Sequence, residues 1–143
     1  LRQEKIGFIF QAPNLLPDFS TTENIALSLL VQGHTYMHAI ERSVNIMKDL
    51  DIYQLHNKSV QSLSGGEKQR VNIARAIIHK PEIIFADEPT GCLDQENAEI
   101  VQNMLFDLSQ TQGTALVIVS HDKQFISKTE YTWDLRGGSI HSI

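Results

Sequence analysis

The sequence predicts an α/β fold, a mostly parallel sheet flanked by helices with a helical segment inserted on one side. Two aliphatic runs, "EIIFA" at Glu82–Ala86 and "TALVIVS" at 114–120, are separated by one helix-length stretch, the pattern of a βαβ unit. Their near-continuous apolar character predicts parallel strands covered on both faces. A third short apolar run, Ile6–Phe10 ("IGFIF"), reads as another buried strand.

The elements follow in order. "QAPNLLPDFS" is a loop marked by proline and asparagine, and "STTE" at Ser20–Glu23 is a capping box that opens a helix through about Val31. Gly33–Thr35 breaks that helix, Tyr36–Leu50 reads as a second, and Asp51–Ser62 is polar and irregular. A third helix begins near Gly65 and ends before Pro81, because the residue preceding proline is pushed out of the helical region. Val71, Ile73, Ala74, Ile77 and Ile78 cover a broad face of it, which predicts deep burial. Asp94 caps a helix running to about Gln110, Gly113 leads into the next strand, and that strand ends at His121. A short helix near Asp122–Thr129 and a hairpin, "YTWDLRGGSIHSI", close the chain.

Composition narrows the function classes. The 143 residues suffice for one domain with its own core, and 41% hydrophobic with 20% charged residues is ordinary for a globular protein. A formal charge of -5 argues against a broad basic surface for nucleic acid. No apolar run reaches the eighteen or so residues of a membrane span. The single cysteine, Cys92, excludes an internal disulfide, fits a reducing compartment and reads as a small packing residue. The opening "LRQEKIGFIF" carries neither an initiator Met nor a signal peptide, so the chain reads as a fragment.

Ligands of parallel α/β sheets bind beyond the carboxyl ends of the strands, and Asp87, Glu88 and His121 all fall there. An aspartate in that place can hold Mg²⁺ through water, a glutamate can take a proton from attacking water, and a histidine can contact a terminal phosphate. Singly, an acidic pair can be a turn or a helix cap, and His34, His38, His56, His79 and His141 read as structural. The combination points to phosphoryl transfer. Gly65 and Gly66 raise a second question, since each glycine costs about 1 kcal/mol in a helix. Ser64 and Glu67 form a Ser-x-x-Glu capping box, which accounts for those two residues but not for the glycines between them. A helix N-terminus with bare backbone is an anion site, and that reading covers all four residues.

These residues resemble the nucleotide-binding domain of ATP-binding-cassette (ABC) transporters. "LSGGEKQR" (Leu63–Arg70) is similar to the signature motif, "IIFADEP" (Ile83–Pro89) to the Walker B strand with its catalytic glutamate, and "TGCLD" (Thr90–Asp94) to the D-loop. "SHD" places His121 as the switch histidine, and "FQAPNLLPDFSTTENI" resembles the Q-loop with Gln11 as its lever residue. "NLLP" with "EPTGCLD" is most similar to exporters of the lipoprotein-release and macrolide-efflux type, with Cys92 where asparagine is usual.

The resemblance implies a P-loop NTPase-like fold, with a helical subdomain over about residues 20–62 and the signature helix, Walker B, D-loop and switch histidine over 63–143. It implies two such domains, alike or different, sandwiching two ATP molecules with Mg²⁺ and driving a transmembrane permease at the cytoplasmic face of the membrane; nucleic acid is not an implied partner. Ser64, Gly65 and Gly66 would contact the γ-phosphate of ATP held mainly by the other subunit, with Glu67 also counted in that nucleotide site. Asp87 would hold Mg²⁺ through water, Glu88 would polarise the attacking water, and His121 would bind the γ-phosphate. Gln11 would join the metal site to the membrane partner, and Asp94 would help pair the subunits.

The phosphate-cradling pattern G-x-x-x-x-G-K-[ST] does not occur in these 143 residues, so the chain reads as N-terminally incomplete. Alone it is expected to bind ATP weakly or not at all, without turnover, and to associate through an open sheet edge. Two other readings stand beside the transporter subunit: an inactive dimerisation or docking module, and a soluble ABC ATPase acting on DNA or ribosomes.

Overall fold

The computed structural model describes residues 5–142; Leu1–Glu4 of the opening stretch and Ile143 at the end of the hairpin stretch lie outside the described residues. Three parallel strands, β1 (Ile6–Ile9), β2 (Ile83–Asp87) and β3 (Ala115–Val119), pair in the order β1-β2-β3. Ile6 stands opposite Ile83, and Ile83 opposite Ala115. Between β1 and β2 run α1 (Thr21–Val31), α2 (Tyr36–Asp49) and α3 (Gly65–Ile77), with short 3₁₀ turns at Tyr53–Leu55 and Val60–Ser62. α4 (Gln95–Gln112) joins β2 to β3, completing the expected βαβ unit. The short α5 (Lys123–Ile126) and the antiparallel hairpin of β4 (Trp133–Arg136) and β5 (Ser139–Ser142) follow.

Both predicted capping boxes form. Ser20 and Glu23 close the start of α1, and Ser64 and Glu67 close the start of α3, each satisfying two free N–H groups. α2 is capped by Thr35 and α4 by Asp94.

Two hydrophobic cores meet at α3. Val71, Ala74 and Ile78 pack with Ile25, Leu29, Met47, Ile52 and Leu55 of the helical segment. Ile73, Ala76 and Ile77 pack with Ile9, Ile84 and Ala86 of the sheet, and with Val101, Leu105 and Phe125. β1 lies so close to α3 that a Cβ on Gly7 would sit 2.6 Å from the Ala76 carbonyl oxygen, a place only glycine fits. His79 beyond α3 contacts the Ile6 carbonyl through Nε2 at 3.2 Å, and burial holds its pKa below the ordinary imidazole value.

The expectation that both sheet faces are covered is corrected. Ile84 and Ala86 are buried against α3 and α4, whereas Phe85, Val117 and Val119 on the opposite face are 37%, 40% and 58% exposed. Phe8 lies on that open face too, stacked on Phe85 with ring centroids 5.7 Å apart. Among the described residues every helix that packs on the sheet does so from one side, and strand alternation then splits the apolar residues into two unequal sets. The covered face should therefore carry the stability. Ile84→Ala is expected to cost about 2–5 kcal/mol and Val119→Ala less than about 1 kcal/mol in urea unfolding. Equal losses would contradict one-sided packing.

Candidate functional site

β2 delivers two carboxylates to its end, and the backbone treats them differently. Asp87 continues the strand, exposed on the same face as Phe85. Glu88 leaves it with φ 43°, a left-handed conformation that is costly for a residue with a Cβ, and its N–H is anchored to the Val119 carbonyl at 2.8 Å. That turn sends the Glu88 side chain into a cleft of about 840 Å³ whose walls include Gln11, Gly91, Gln102, Ser120 and His121. Asp87 is not part of the wall.

Within the cleft the two Glu88 oxygens have different surroundings. The Ser120 hydroxyl donates to Oε2 at 3.4 Å. Oε1 is buried and accepts no hydrogen bond, with His121 Nε2 3.6 Å away, just beyond hydrogen-bond reach. The His121 ring is fully exposed. The arrangement therefore holds one carboxylate oxygen through Ser120 and leaves the other without a hydrogen-bond donor. Ser120 was not singled out by the sequence reading; its signal is a hydroxyl residue at the strand end beside His121.

Gln11 lines the same cleft. Its Nε2 is 3.5 Å from Cys92 Sγ, and a Cβ on Gly91 would approach that nitrogen to 3.0 Å. Cys92 is exposed, which corrects its reading as a packing residue. The loop around Gln11 is fixed from α3: Gln69 and Asn72 both donate to the Phe10 carbonyl, at 3.2 and 3.1 Å, and Arg75 donates to the carbonyls of Pro13 and Asn14. None of these three clamps was anticipated. Gln11 also borders a small cavity of about 70 Å³ shared with Gly65, Lys68, Pro89 and Leu93.

The Ser64–Glu67 turn stands apart from the Glu88 cleft. The Ser64 N–H donates to Glu67 Oε2 at 2.7 Å, and the Glu67 N–H to Ser64 Oγ at 3.2 Å. The first of these bonds holds the Glu67 carboxyl below its usual pKa. Ser64 and Gly65 are exposed at the helix start. Gly66 is buried, and a Cβ there would meet Asn97 Oδ1 at 2.2 Å and Asn97 Cβ at 3.0 Å. Asn97 in turn donates through its backbone and side chain to Asp94, at 3.0 and 2.8 Å, and accepts from Arg70 at 3.4 Å. Asp94 is thus an exposed cap of α4 whose pKa is lowered, first by the Asn97 N–H. Gly65 leaves open backbone, and Gly66 lets two helix starts touch.

The family model described as ABC transporter matches residues 1–91. The chain belongs to the ABC transporter family. It is 41% identical over 140 residues to the lipoprotein-releasing system ATP-binding protein LolD of Buchnera aphidicola subsp. Schizaphis graminum, covering 98% of this chain and 61% of that protein. It is 39% identical over 143 residues to LolD of Legionella pneumophila, covering 99% of this chain and 63% of the relative. The chain thus spans about three fifths of the length of the curated relatives it matches.

Among solved structures, the dimeric post-hydrolysis state of the ATP-binding cassette MJ0796 bound to ADP and Pi superposes with a TM-score of 0.84 at 32% identity, over 99% of this chain and 64% of that one. An inward-facing, putative metal-chelate type ABC transporter superposes with a TM-score of 0.85 at 28% identity, over 96% and 58%. The ABC cassette has a P-loop NTPase fold, so the three parallel strands and their helices are that fold's sheet and flanking layer.

The two glycines of this ABC chain should respond differently to a methyl group. Gly66→Ala is expected to destabilise by about 1–3 kcal/mol by displacing Asn97 from Asp94. Gly65→Ala, which meets only Leu93 at 3.7 Å, should be neutral or stabilising by up to about 1 kcal/mol. Thermal unfolding of the two variants checks this; equal destabilisation would rule out the Asn97 contact as the reason for Gly66.

Proposed function

We propose that this chain forms the signature, Walker B and switch-histidine part of the ATP-hydrolysing subunit of an ABC transporter, with residues 20–62 as its helical subdomain. The observation that carries the reading is Glu88 Oε1, buried without a hydrogen-bond partner and 3.6 Å from His121 Nε2 at the carboxyl end of a parallel strand. An acceptor in that state suits removal of a proton from water attacking a terminal phosphate.

The roles divide by location. Glu88 is the general base, steadied through Oε2 by Ser120, and His121 reaches into open space to meet the γ-phosphate. Gly65 presents exposed backbone at the positive dipole end of α3 to a phosphate, and the exposed Ser64 beside it offers its hydroxyl. Glu67 keeps that N-terminus in shape through the capping box. The turn is not among the walls of the Glu88 cleft, and the dimeric ADP- and Pi-bound cassette that the chain resembles supports assigning the phosphate it meets to a nucleotide held by a second nucleotide-binding domain. Asp94 sits exposed near that turn, where a paired subunit would meet it.

The donor set fits magnesium. Mg²⁺ keeps several waters and takes one or two carboxylates plus substrate phosphates, rather than an all-protein cage. Asp87 offers an exposed carboxylate at the strand end, and Gln11 an exposed side-chain carbonyl, while among the described residues no three His, Cys, Asp or Glu side chains cluster around one point. When bound, the ion would neutralise charge between the β- and γ-phosphates.

The cassette acts at the cytoplasmic face of the membrane by docking on a permease; among the described residues no helix is long and apolar enough to cross a membrane. The relatives named lipoprotein-releasing system ATP-binding proteins support an ATP-binding role within a multi-part system. The phosphate-cradling motif does not occur in these 143 residues, so the chain alone would bind ATP weakly or not at all and would not turn it over.

In the assembled cassette, Glu88→Gln should preserve ATP-driven pairing, read by light scattering, while lowering hydrolysis at least about 100-fold. Hydrolysis near the unaltered rate would refute the base assignment.

A further inference from the structure

We infer that Gln102 is a positioning residue for the Ser120–His121–Asp122 corner, setting the direction of a hydrogen-bond chain that ends on Glu88. The inference rests on the reading of Glu88 as the base. Gln102 lies on α4 beside Val101 and is only 4% exposed. A buried primary amide needs partners at both ends, an acceptor for its NH₂ and a donor for its carbonyl.

The surroundings of Gln102 fix which end is which. Lys128 Nζ, which can only donate, lies 3.1 Å from Oε1. Nε2 therefore faces Asp122 and donates to Oδ2 at 3.1 Å. The other Asp122 oxygen caps α5, accepting from the N–H groups of Gln124 at 2.8 Å and Phe125 at 3.2 Å. The Asp122 N–H donates to Ser120 Oγ at 3.1 Å, and the Ser120 hydroxyl passes its proton-donating bond on to Glu88 Oε2 at 3.4 Å.

The series Lys128, Gln102, Asp122, Ser120, Glu88 runs with one polarity throughout. His121 sits between two of its members, so its backbone is held on both sides while its ring stays free to meet a ligand. Gln102 touches none of the reacting groups. It acts by keeping Asp122 in the position from which Ser120 reaches Glu88.

Polarity is testable by reversing it. Gln102→Glu sets a carboxylate against Asp122, and Asp122→Asn sets two NH₂ groups face to face. The pair Gln102→Glu with Asp122→Asn restores a donor opposite an acceptor and keeps an oxygen toward Lys128. In the assembled ATP-hydrolysing cassette each single variant should lower kcat about tenfold with KM for ATP within about twofold. The double variant should recover kcat to within about threefold of the original. In the 143-residue chain, amide exchange at Gln124 and Phe125 should quicken about tenfold in each single variant and slow again in the double.

Losses that add in the double variant, or exchange that does not change, would overturn the inference. If Glu88→Gln silences turnover while Gln102→Glu leaves kcat intact, the Gln102 link alone fails. If Glu88→Gln keeps turnover, the base reading fails, and the exchange rescue then decides the hydrogen-bond chain by itself.

Discussion

The two-sided burial of α3 is the constraint on which the rest of the structure depends. Val71, Ala74 and Ile78 belong to the core of the helical segment, while Ile73, Ala76 and Ile77 belong to the core under the sheet. Each fully buried Val or Ile contributes about 1.5–3 kcal/mol. The helix can therefore rotate or slide only by disturbing both cores. Its polar residues use that rigidity: Gln69, Asn72 and Arg75 hold the backbone on either side of Gln11. Its N-terminus carries Ser64 and Gly65 to the surface, anchored by the contact between Gly66 and Asn97.

One rigid element thus sets the relation between two chemically different surfaces. On one side, Glu88 and His121 line a cleft with an acceptor oxygen left unpartnered. On the other, a helix start exposes the backbone at Gly65, with its one first-turn carboxylate, Glu67, tied into the capping box. Gln11 borders both regions, and its loop is tied to α3 rather than to the sheet alone. A displacement of the helical segment transmitted through α3 would move Gln11 and the Ser64 turn together. Sensing by the membrane partner and reception of a second nucleotide are mechanically joined in this reading.

Much of this was legible in the sequence where the determining physics is local. Capping boxes at Ser20 and Ser64, the βαβ periodicity and the placement of Glu88 and His121 at strand ends all arise within a few residues of chain. Long-range partners were not legible. The reason for Gly66 is Asn97, on another helix, and the clamp on Phe10 comes from Gln69 and Asn72 after a long intervening segment. One-sided coverage of the sheet was hidden because Phe85, Val117 and Val119 are as apolar as their buried neighbours. Gln102 escaped notice since a glutamine in a helix ordinarily faces water, and only Lys128 and Asp122 together make its burial tolerable.

The most direct measurement is vanadate-dependent photocleavage of the assembled cassette pair. Vanadate with ADP stands in for the terminal phosphate during hydrolysis, and on irradiation it cuts the backbone it touches. Fragments mapped by mass spectrometry should show cleavage at Ser64–Gly66, dependent on both nucleotide and pairing. Cleavage that spares Ser64–Gly66 while the pair remains assembled would contradict the assignment of that turn as receptor for a phosphate held across the interface.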